Sequence, residues 1–413
     1  MKMQHEAISS CRISGSTNLI KILSLGDQFL TGVFPKKVSQ KITKGPLDLM
    51  WCPDSGLVQL NNSYDLNEMY GLNYGYRSGL NNSMVQHLKN KVDQLTILHH
   101  VSSGDVVLDI GSNDGTLLSS YKNKELNRIG IDPTGLKFQE FYKDGLQLIP
   151  DFFTADTYRS RFPAKNAAII TSISMFYDLE SPSNFVADIA KILDRDGIWH
   201  FEQSYMPTML RTTSYDTICH EHLEYYSLHV VKSLIEKHGL KIIDVQMNSI
   251  NGGSFAVTVA RAESNYNSNN AFIEWMLGQE DRMNLNTPKP YCEFEQRVFR
   301  HRDDLVRLVK TLGGDGKSVV GYGASTKGNV LLQFCGFSPS EIPCIAEINP
   351  DKFGSFTPGT LIPILPESEV RAMKPDYMLV LPWHFRDSII RRESEYMANG
   401  GKLIFPLPEI EIV

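Results

Sequence analysis

A short segment in the middle of the chain concentrates side chains that can move protons. Residues 215–227 read Tyr-Asp-Thr-Ile-Cys-His-Glu-His-Leu-Glu-Tyr-Tyr-Ser, so His220 and His222 stand on either side of Glu221. Imidazole titrates near neutral pH, and removing a proton from a carbon next to a ketone needs such a base. The residue types therefore predict either a proton-abstracting site or a structural hydrogen-bond cluster at a domain junction.

A glycine-rich loop lies earlier in the chain, after an apolar run that predicts a strand. Val106–Ile110 leads into Gly111-Ser-Asn113-Asp114-Gly115. The glycines permit positive φ and a close approach of the backbone to a ligand. Their spacing differs from the G-x-G-x-x-G pattern of dinucleotide-binding loops, and Asp114 puts a negative charge where a pyrophosphate would lie. The loop favours a cationic or hydroxyl-bearing ligand.

Acidic residues around this loop further limit the kinds of ligand that it could bind. Asp109 precedes the loop, and Asp132 closes the next predicted strand about twenty residues on, where an acid accepts the hydroxyls of a ribose. A ribose, an adenine and a cationic sulfonium together describe S-adenosylmethionine. The alternative is a plain strand–turn–helix junction without a ligand.

Strands and helices that would position these residues alternate along the chain. Apolar residues at spacings of three and four predict an amphipathic helix from Asn82 onward, and apolar runs predict strands at 106–110, 128–131, 167–170, 197–201, 318–321 and 377–381. This alternation predicts a doubly wound, parallel α/β sheet followed by a second α/β unit. We expect a small first domain over 1–66, a cofactor-binding domain over 67–249 and a C-terminal α/β domain over 250–413.

Several of these segments resemble one enzyme family. Residues 107–116 resemble the first motif of class I S-adenosylmethionine-dependent methyltransferases. Residues 215–227 resemble the Asp-Thr-Ile-Tyr-His-Glu-His-Leu-x-Tyr-x-Ser signature of sugar-nucleotide C-methyltransferases, which methylate a carbon of 4-keto-deoxysugars; Cys219 stands where tyrosine is usual. Matching pieces at 251–254, 321–329, 358–363 and 400–401 extend the resemblance over nearly the whole chain. It implies a Rossmann-like methyltransferase domain between a zinc-ribbon-like domain and a second Rossmann-like domain that binds the sugar nucleotide.

The resemblance also implies roles in the reaction. His222 would be the base that forms an enolate, and Glu221 its orienting or polarising partner. Tyr76, from the Tyr-Gly-Tyr-Arg-Ser-Gly element at 74–79, would place a hydroxyl on the substrate or enolate side. A buried aromatic pair at the edge of the sheet is the alternative for Tyr76.

The remaining candidates are binding residues. Met175 and Phe176 follow the fourth strand, where such enzymes line the adenine and methionine pocket, with core packing as the alternative. In the second α/β unit, backbone N–H groups and Lys327 predict a cradle for the diphosphate of the nucleotide, or else a purely structural duplicate. The predicted cofactor-binding residues are Asp109, Gly111, Asn113, Asp114, Asp132, Met175 and Phe176, and the predicted substrate-binding residues are His220, Glu202, Tyr322 and Lys327.

The first domain lacks the ligands of the family's zinc site, which has two C-x-x-C pairs. Here the pairs are Cys11-x-x-Ser14 and Cys52-x-x-Ser55. A serine hydroxyl does not ionise near neutral pH as a thiol does, and two thiolates alone do not close a tetrahedral site. We therefore expect no structural zinc.

Composition excludes several other classes of protein. The chain has 413 residues, with 41 Lys and Arg against 47 Asp and Glu and a formal net charge of -6, which is unlike a dedicated binder of nucleic acid or anionic membrane. No apolar run approaches the ~18 residues of a membrane span. Six scattered cysteines favour a reducing, cytoplasmic location. An O- or N-methyltransferase of a carbohydrate or small polar metabolite, and a binding protein without catalysis, remain open alternatives, as does the oligomeric state.

Overall fold

The first part of the chain is a small, β-rich unit. The computed structural model describes residues 5–70 and 76–413. Strands β2, β3 and β4 form an antiparallel sheet, and β3 alternates buried and half-buried residues as a strand with one covered face does. The elements of this unit are β1 (His5–Ala7), β2 (Ile20–Phe29), β3 (Lys44–Trp51), β4 (Val58–Leu60), β5 (Asn62–Tyr64) and α1 (Leu66–Tyr70).

The middle part contains the larger sheet and the helices that cover it. Its elements are α2 (Asn82–Leu98), β6 (Val106–Ile110), α3 (Thr116–Ser119), β7 (Asn127–Ile131), β8 (Gln147–Ile149), α4 (Ala155–Arg161), β9 (Ala167–Ile173), α5 (Pro182–Ile192), β10 (Leu193–Ser204), α6 (Met206–Thr212), β11 (Glu224–Tyr225), α7 (Leu228–Glu236), β12 (Leu240–Asn248) and β13 (Ser254–Arg261).

The seven strands of this sheet lie in the order β12-β13-β10-β9-β6-β7-β8. Strand β13 runs antiparallel to both of its neighbours, and the other neighbouring pairs are parallel. The doubly wound α/β fold predicted from the sequence is therefore confirmed. The turn between β12 and β13 contains residue 250, so the sheet draws strands from both sides of the boundary predicted there.

Helix α2 begins at a side-chain cap. The Oδ1 of Asn81 accepts a hydrogen bond of 2.9 Å from the backbone N–H of Ser83, which satisfies one of the free donors at a helix start. The periodic face predicted from the sequence is confirmed, because its apolar residues are buried: Met84, Leu88, Val92 and Leu95.

The C-terminal part is a second α/β unit, as predicted. Its sheet has the order β16-β15-β14-β17-β18-β19, parallel except for β19. The elements are α8 (Asn270–Arg282), α9 (Lys289–Gly314), β14 (Val319–Tyr322), α10 (Thr326–Cys335), β15 (Ile345–Glu347), β16 (Ile364–Pro366), α11 (Glu367–Ala372), β17 (Tyr377–Val380), α12 (Arg386–Arg392), α13 (Ser394–Ala398), β18 (Lys402–Phe405) and β19 (Glu411–Ile412). None of the helices in the two described ranges has both the length and the apolar composition that a membrane span needs.

One hydrophobic core joins the three parts. It includes Leu49 of β3, Met209 of α6, Val298 of α9 and Leu331 of α10. In addition, β11 pairs with β4 and so extends the sheet of the first part. The segment that carries the two histidines is therefore held between all three parts of the chain.

Candidate active site

The glycine loop follows β6 at the carboxyl edge of the larger sheet. Gly111 has φ +74°, and a Cβ at this position would lie 3.0 Å from Cγ of Met175. Both the backbone conformation and this close contact favour glycine. Met175, which follows β9, therefore packs directly on the loop, as expected for a residue of the cofactor site.

Two predicted acidic residues brace the loop in different ways. Asp132 Oδ2 accepts a hydrogen bond of 2.7 Å from the backbone N–H of Asn113, and its Oδ1 accepts one of 2.6 Å from the N–H of Thr134. Asp109 instead accepts a hydrogen bond of 2.6 Å from the hydroxyl of Thr171 on β9, and burial raises its pKa to about 7. Asp132 lies at the loop, whereas the carboxyl group of Asp109 ties two strands together.

The segment at Tyr76 crosses over this loop. Asn113 accepts a hydrogen bond of 2.9 Å from the N–H of Ser78 and donates one of 3.2 Å to the carbonyl of Tyr76. Asp114 Oδ2 accepts a hydrogen bond of 2.9 Å from the N–H of Gly79. The side chains of Asn113 and Asp114 thus hold this segment against the loop.

Tyr76 itself is placed beside the predicted cofactor site. Its side chain is 46% exposed, whereas burial around the hydroxyl raises the pKa of Tyr76 and Ser78 forms a hydrogen bond with it. The guanidinium of Arg77 lies 4.5 Å from the centre of the Phe141 ring, which fixes the segment from its other side. Tyr74, in the same predicted element, lies outside the described residues.

Phe176 lies in the core. Its ring is fully buried, stacks on Tyr226 at 5.2 Å and meets Trp199 edge-on at 5.3 Å. These contacts correct the expectation that Phe176 forms a wall of the cofactor site. The core-packing alternative applies to Phe176, whereas its neighbour Met175 contacts the loop.

Glu202 is also a structural residue. Its carboxylate is fully buried and lies 2.6 Å from Nε2 of His87 and 3.0 Å from Nζ of Lys91, both on α2. The side chain of Asn248 donates a third contact of 2.8 Å. Burial alone would raise the pKa of Glu202, but His87 and Lys91 outweigh it and lower the pKa to about 2. Glu202 therefore anchors α2 to the sheet, which corrects its prediction as a substrate-binding residue.

His222 is oriented by a backbone carbonyl. Its Nδ1 lies 2.8 Å from the carbonyl oxygen of Thr217. Because a carbonyl only accepts, the hydrogen is on Nδ1 and Nε2 carries the lone pair. The ring of Tyr177 packs on the imidazole, with 4.1 Å between the ring centres. Burial, together with the positive charge of Lys327, lowers the pKa of His222 to about 3, so the imidazole is neutral near pH 7.

A small cavity adjoins this imidazole. Tyr177 reaches it from the same loop as Met175, so the loop after β9 contacts both Gly111 and His222. The same loop therefore contributes to both the cavity and the predicted cofactor site. It is lined by Tyr177, Ser204, Met206, Met209, Thr217, His222, Glu224 and Tyr225.

The two residues before His222 face the first part of the chain. Glu221 lies 3.4 Å from the hydroxyl of Thr31 and fills the space beside Gly32, and burial raises its pKa. His220 is fully buried edge-on against the ring of Tyr64, at 4.6 Å. Glu221 is therefore not the partner that orients His222, and His220 does not lie at the substrate site. Both expectations are corrected.

Lys327 reaches across the junction of the two α/β units. Its Nζ donates a hydrogen bond of 2.7 Å to the carbonyl of Asn251, whose side chain donates one of 3.3 Å to the hydroxyl of Ser174 after β9. Close by, the indole N–H of Trp383 donates a hydrogen bond of 2.7 Å to Asp216. These contacts join the two α/β units near the segment that carries His222.

The glycine-rich loop after β14 differs from an anion cradle. The backbone N–H of Ala324 donates a hydrogen bond of 2.8 Å to Oε2 of Glu347, which puts a carboxylate where a diphosphate would lie. The hydroxyl of Tyr322 donates one of 2.8 Å to Glu393, inside the C-terminal unit. These contacts argue against the predicted diphosphate site at Tyr322 and at this loop.

The four positions of the lost zinc pattern lie together. Cys11 Sγ is 3.2 Å from the hydroxyl of Ser55, and Cys52 Sγ is 3.8 Å from that of Ser14. Each thiol thus faces a hydroxyl of the opposite turn. Within residues 5–70 and 76–413, no group of three or more histidine, cysteine or acidic residues is arranged to hold a metal. Two thiols with two neutral hydroxyls do not fit a zinc ion.

Three residues with contacts in this region are not identified by the sequence interpretation. Thr217 acts through its carbonyl, which has no signature in residue type. Asn251, with φ +55° before two glycines, enters the sequence interpretation only as part of a matching piece, although an asparagine at positive φ often marks a functional turn. Trp383 follows a buried strand of the second unit, at the edge where ligands bind in such sheets.

Three family models match the chain in succession. One described as "Putative zinc binding domain" matches residues 11–70, one described as "Methyltransferase domain" matches 86–245, and one described as "C-methyltransferase C-terminal domain" matches 249–408. The match to three consecutive models accounts for most of the chain.

A curated relative matches over nearly the full length. It is the C-methyltransferase NovU of Streptomyces niveus, 30% identical over 409 residues, which are 98% of this chain and 97% of the relative. Solved structures match the fold over less than half of the chain. They include the mitomycin 7-O-methyltransferase MmcR (15% identity, TM-score 0.35, 44% of this chain and 55% of that one) and magnesium protoporphyrin IX methyltransferase from Synechocystis PCC 6803 with bound SAH (14%, 0.34, 44% and 88%).

Proposed function

Because the chain belongs to the C-methyltransferase family, we propose that it transfers a methyl group from S-adenosylmethionine to a carbon next to the ketone of a nucleotide-linked 4-keto-deoxysugar. The observation that carries this proposal is the orientation of His222. Its Nδ1–H is committed to the carbonyl of Thr217 at 2.8 Å, which leaves the lone pair of Nε2 for a substrate. The nature of the sugar substrate rests on the resemblance of residues 215–227 to the signature of the sugar-nucleotide enzymes.

The donor would be held at the loop after β6. Asp132 closes β7 next to that loop, where a carboxylate accepts ribose hydroxyls, and Met175 supplies an apolar surface against Gly111. When bound, S-adenosylmethionine supplies an electrophilic methyl group on a positively charged sulfur. The segment at Tyr76 lies over the same loop, and the hydroxyl of Tyr76 would contact the substrate there.

In the proposed reaction, Nε2 of His222 takes the proton from the carbon beside the ketone. The electron pair of the C–H bond forms the enolate double bond, and the carbonyl pair moves to oxygen. The enolate carbon then forms a bond to the methyl carbon as the carbon–sulfur bond breaks, and its electron pair stays on sulfur. Burial and the charge of Lys327 lower the pKa of His222, so the imidazole is neutral and Nε2 is unprotonated before substrate binds.

The test is methyl transfer and proton exchange by His222→Ala. With a panel of 4-keto-deoxysugar nucleotides and S-adenosylmethionine, we expect the wild-type protein to form S-adenosylhomocysteine and a sugar heavier by one methyl group. In D₂O with S-adenosylhomocysteine, the wild type should exchange the hydrogen next to the ketone. His222→Ala should lose both activities while binding S-adenosylhomocysteine normally.

His229→Ala is the matched control, because this exposed histidine lies on α7, one helix beyond the cleft. It should behave as the wild type does. Full turnover by His222→Ala would refute the assignment of the base. Absence of any product from the wild type across the whole panel would refute the substrate class.

A further inference from the structure

The ammonium group of Lys327 extends away from its own loop and reaches the turn between β12 and β13. Within the described part of the chain, the carbonyl of Asn251, at 2.7 Å, is its one hydrogen-bond acceptor. An ammonium has three N–H donors, so two remain for a ligand. Asn251 is held in turn by Ser174 at the end of β9. The amino group is thereby fixed at the carboxyl edge of the larger sheet, on the side of the cofactor loop.

The surroundings of Lys327 contain the proposed base. Its charge adds to burial in lowering the pKa of His222 and that of His384, each to about 3, so both imidazoles lie within its electrostatic reach. Burial lowers the pKa of Lys327, while Asp216 and Cys219 act in the opposite direction. A positive charge thus stands beside His222 before any substrate is bound.

Backbone N–H groups of the loop that carries Lys327 already have acceptors within the C-terminal unit, which disfavours binding of a diphosphate there. The N–H of Ala324 donates to the carboxylate of Glu347 at 2.8 Å, and the N–H of Gly328 donates to the hydroxyl of Ser325 at 3.0 Å. Two of the backbone donors that could share an anion with Lys327 are therefore already used.

We infer that Lys327 is a further catalytic residue, whose ammonium donates a hydrogen bond to the ketone oxygen of the substrate and stabilises the enolate that His222 generates. The inference rests on the proposed function and deepens it. A preorganised cation in a site shielded from water stabilises charge as it develops, which is the strongest way for a side chain to lower such a barrier. No proton is transferred from Lys327, and the negative charge that it stabilises disappears when the enolate carbon takes the methyl group.

This arrangement also couples Lys327 to the strength of the base. In the free protein, the ammonium disfavours protonated His222. As negative charge develops on the ketone oxygen, it offsets the charge of Lys327, so His222 becomes a stronger base while it takes up the proton. The same lysine therefore keeps the imidazole neutral before substrate binds and opposes its protonation less as the enolate forms.

The experiment compares Lys327→Met with Lys352→Met in the full-length protein. Lys352 is a matched control, because its Nζ also donates a hydrogen bond of 2.7 Å to a backbone carbonyl of the same unit, yet its ammonium lies over the ring of Phe34. With S-adenosylhomocysteine and a 4-keto-deoxysugar nucleotide in D₂O, Lys327→Met should exchange the hydrogen next to the ketone about 100-fold more slowly or worse. Lys352→Met should exchange at the wild-type rate.

Two further measurements separate a catalytic role from a structural one. Lys327→Met should bind S-adenosylhomocysteine as the wild type does, and the pKa of His222, followed by NMR of the imidazole, should rise. Lys327→Arg keeps the charge and should retain more exchange than Lys327→Met.

Exchange by Lys327→Met at the wild-type rate, or a change in KM alone, would overturn the inference while leaving the proposed function intact. A wild-type protein that neither exchanges nor methylates any sugar of the panel would overturn both. If Lys327→Met does not fold, the test uses Lys327→Arg instead, with its kcat and the pKa of His222 measured by NMR titration. There, a kcat at the wild-type value combined with an unchanged pKa would support a bystander role and overturn the inference.

Discussion

The buried contact between Glu202 and α2 predicts a large, pH-dependent contribution to stability. We consider Glu202→Gln, which removes the charge and keeps the shape. The pKa of Glu202 falls from its ordinary value of 4.5 to about 2, and each tenfold change in proton affinity corresponds to about 1.4 kcal/mol, so the charge contributes roughly 3 kcal/mol at pH 7. Because the pKa is lower in the folded protein, this contribution is fully present above pH 4.5 and is lost as the pH falls toward 2. A change of this size lowers the Tm of a domain of 150–250 residues by about 6–12 °C.

Scanning calorimetry at pH 7 and at pH 4 measures both parts of this prediction. The difference between wild type and Glu202→Gln should be smaller at pH 4. Glu236→Gln is the control, since Glu236 forms an exposed contact of 2.5 Å with Lys232 on α7, and such pairs contribute at most about 0.5 kcal/mol. Equal effects of the two variants at pH 7, or a pH-independent effect of Glu202→Gln, would refute this account of Glu202.

Two further predictions concern the cofactor loop and the first domain. Gly111→Ala should weaken binding of S-adenosylhomocysteine about tenfold by calorimetric titration, because it strains a backbone at φ +74° and brings Cβ to 3.0 Å from a methionine. Gly316→Ala is the control: Gly316 has the same φ and nothing within 4 Å of its Cβ position, so the affinity should be unchanged. Equal losses of affinity in the two variants would contradict the argument. The double variant Ser14→Cys/Ser55→Cys should bind about one zinc per chain by elemental analysis. The wild-type protein should bind none, and its circular dichroism spectrum should not change in EDTA. One zinc per chain in the wild-type protein would show that other ligands replace the serines.

Regular patterns in the sequence predicted the fold well. The spacing of apolar residues in α2 and the apolar runs of the parallel strands are local signals, and the burial of Met84 and Leu88 follows from them. The pairing of β11 with β4 had no such signal, because two residues at 224–225 meet a strand more than 160 positions earlier. Pairings of that kind depend on the packing of whole domains.

The site shows the same division between local and long-range information. His222 was identified by its residue type and its motif, but the motif does not reveal which way each side chain points. In this irregular segment, His220 and Glu221 turn toward the first domain, whereas His222 turns toward the cleft. For the loop that carries Lys327, the motif does not reveal that the N–H of Ala324 donates to Glu347, twenty residues beyond Lys327 in the chain.

The first domain has a role that does not require a metal. The backbone N–H of Leu60 donates a hydrogen bond of 2.9 Å to the carbonyl of Leu223, and Arg12, in the first of the two turns that lost a cysteine, lies 3.6 Å from the buried carboxylate of Glu224. Leu223 and Glu224 follow His222 directly, so the first domain contacts the chain next to the proposed base. The contact between Cys11 and Ser55 at 3.2 Å joins the same turn to its neighbour. A thiol–hydroxyl contact is far weaker than a zinc–thiolate bond, so the packing of the first domain against residues 223–225 must supply most of what the metal would supply. The first domain and the histidine segment therefore stabilise each other through these contacts.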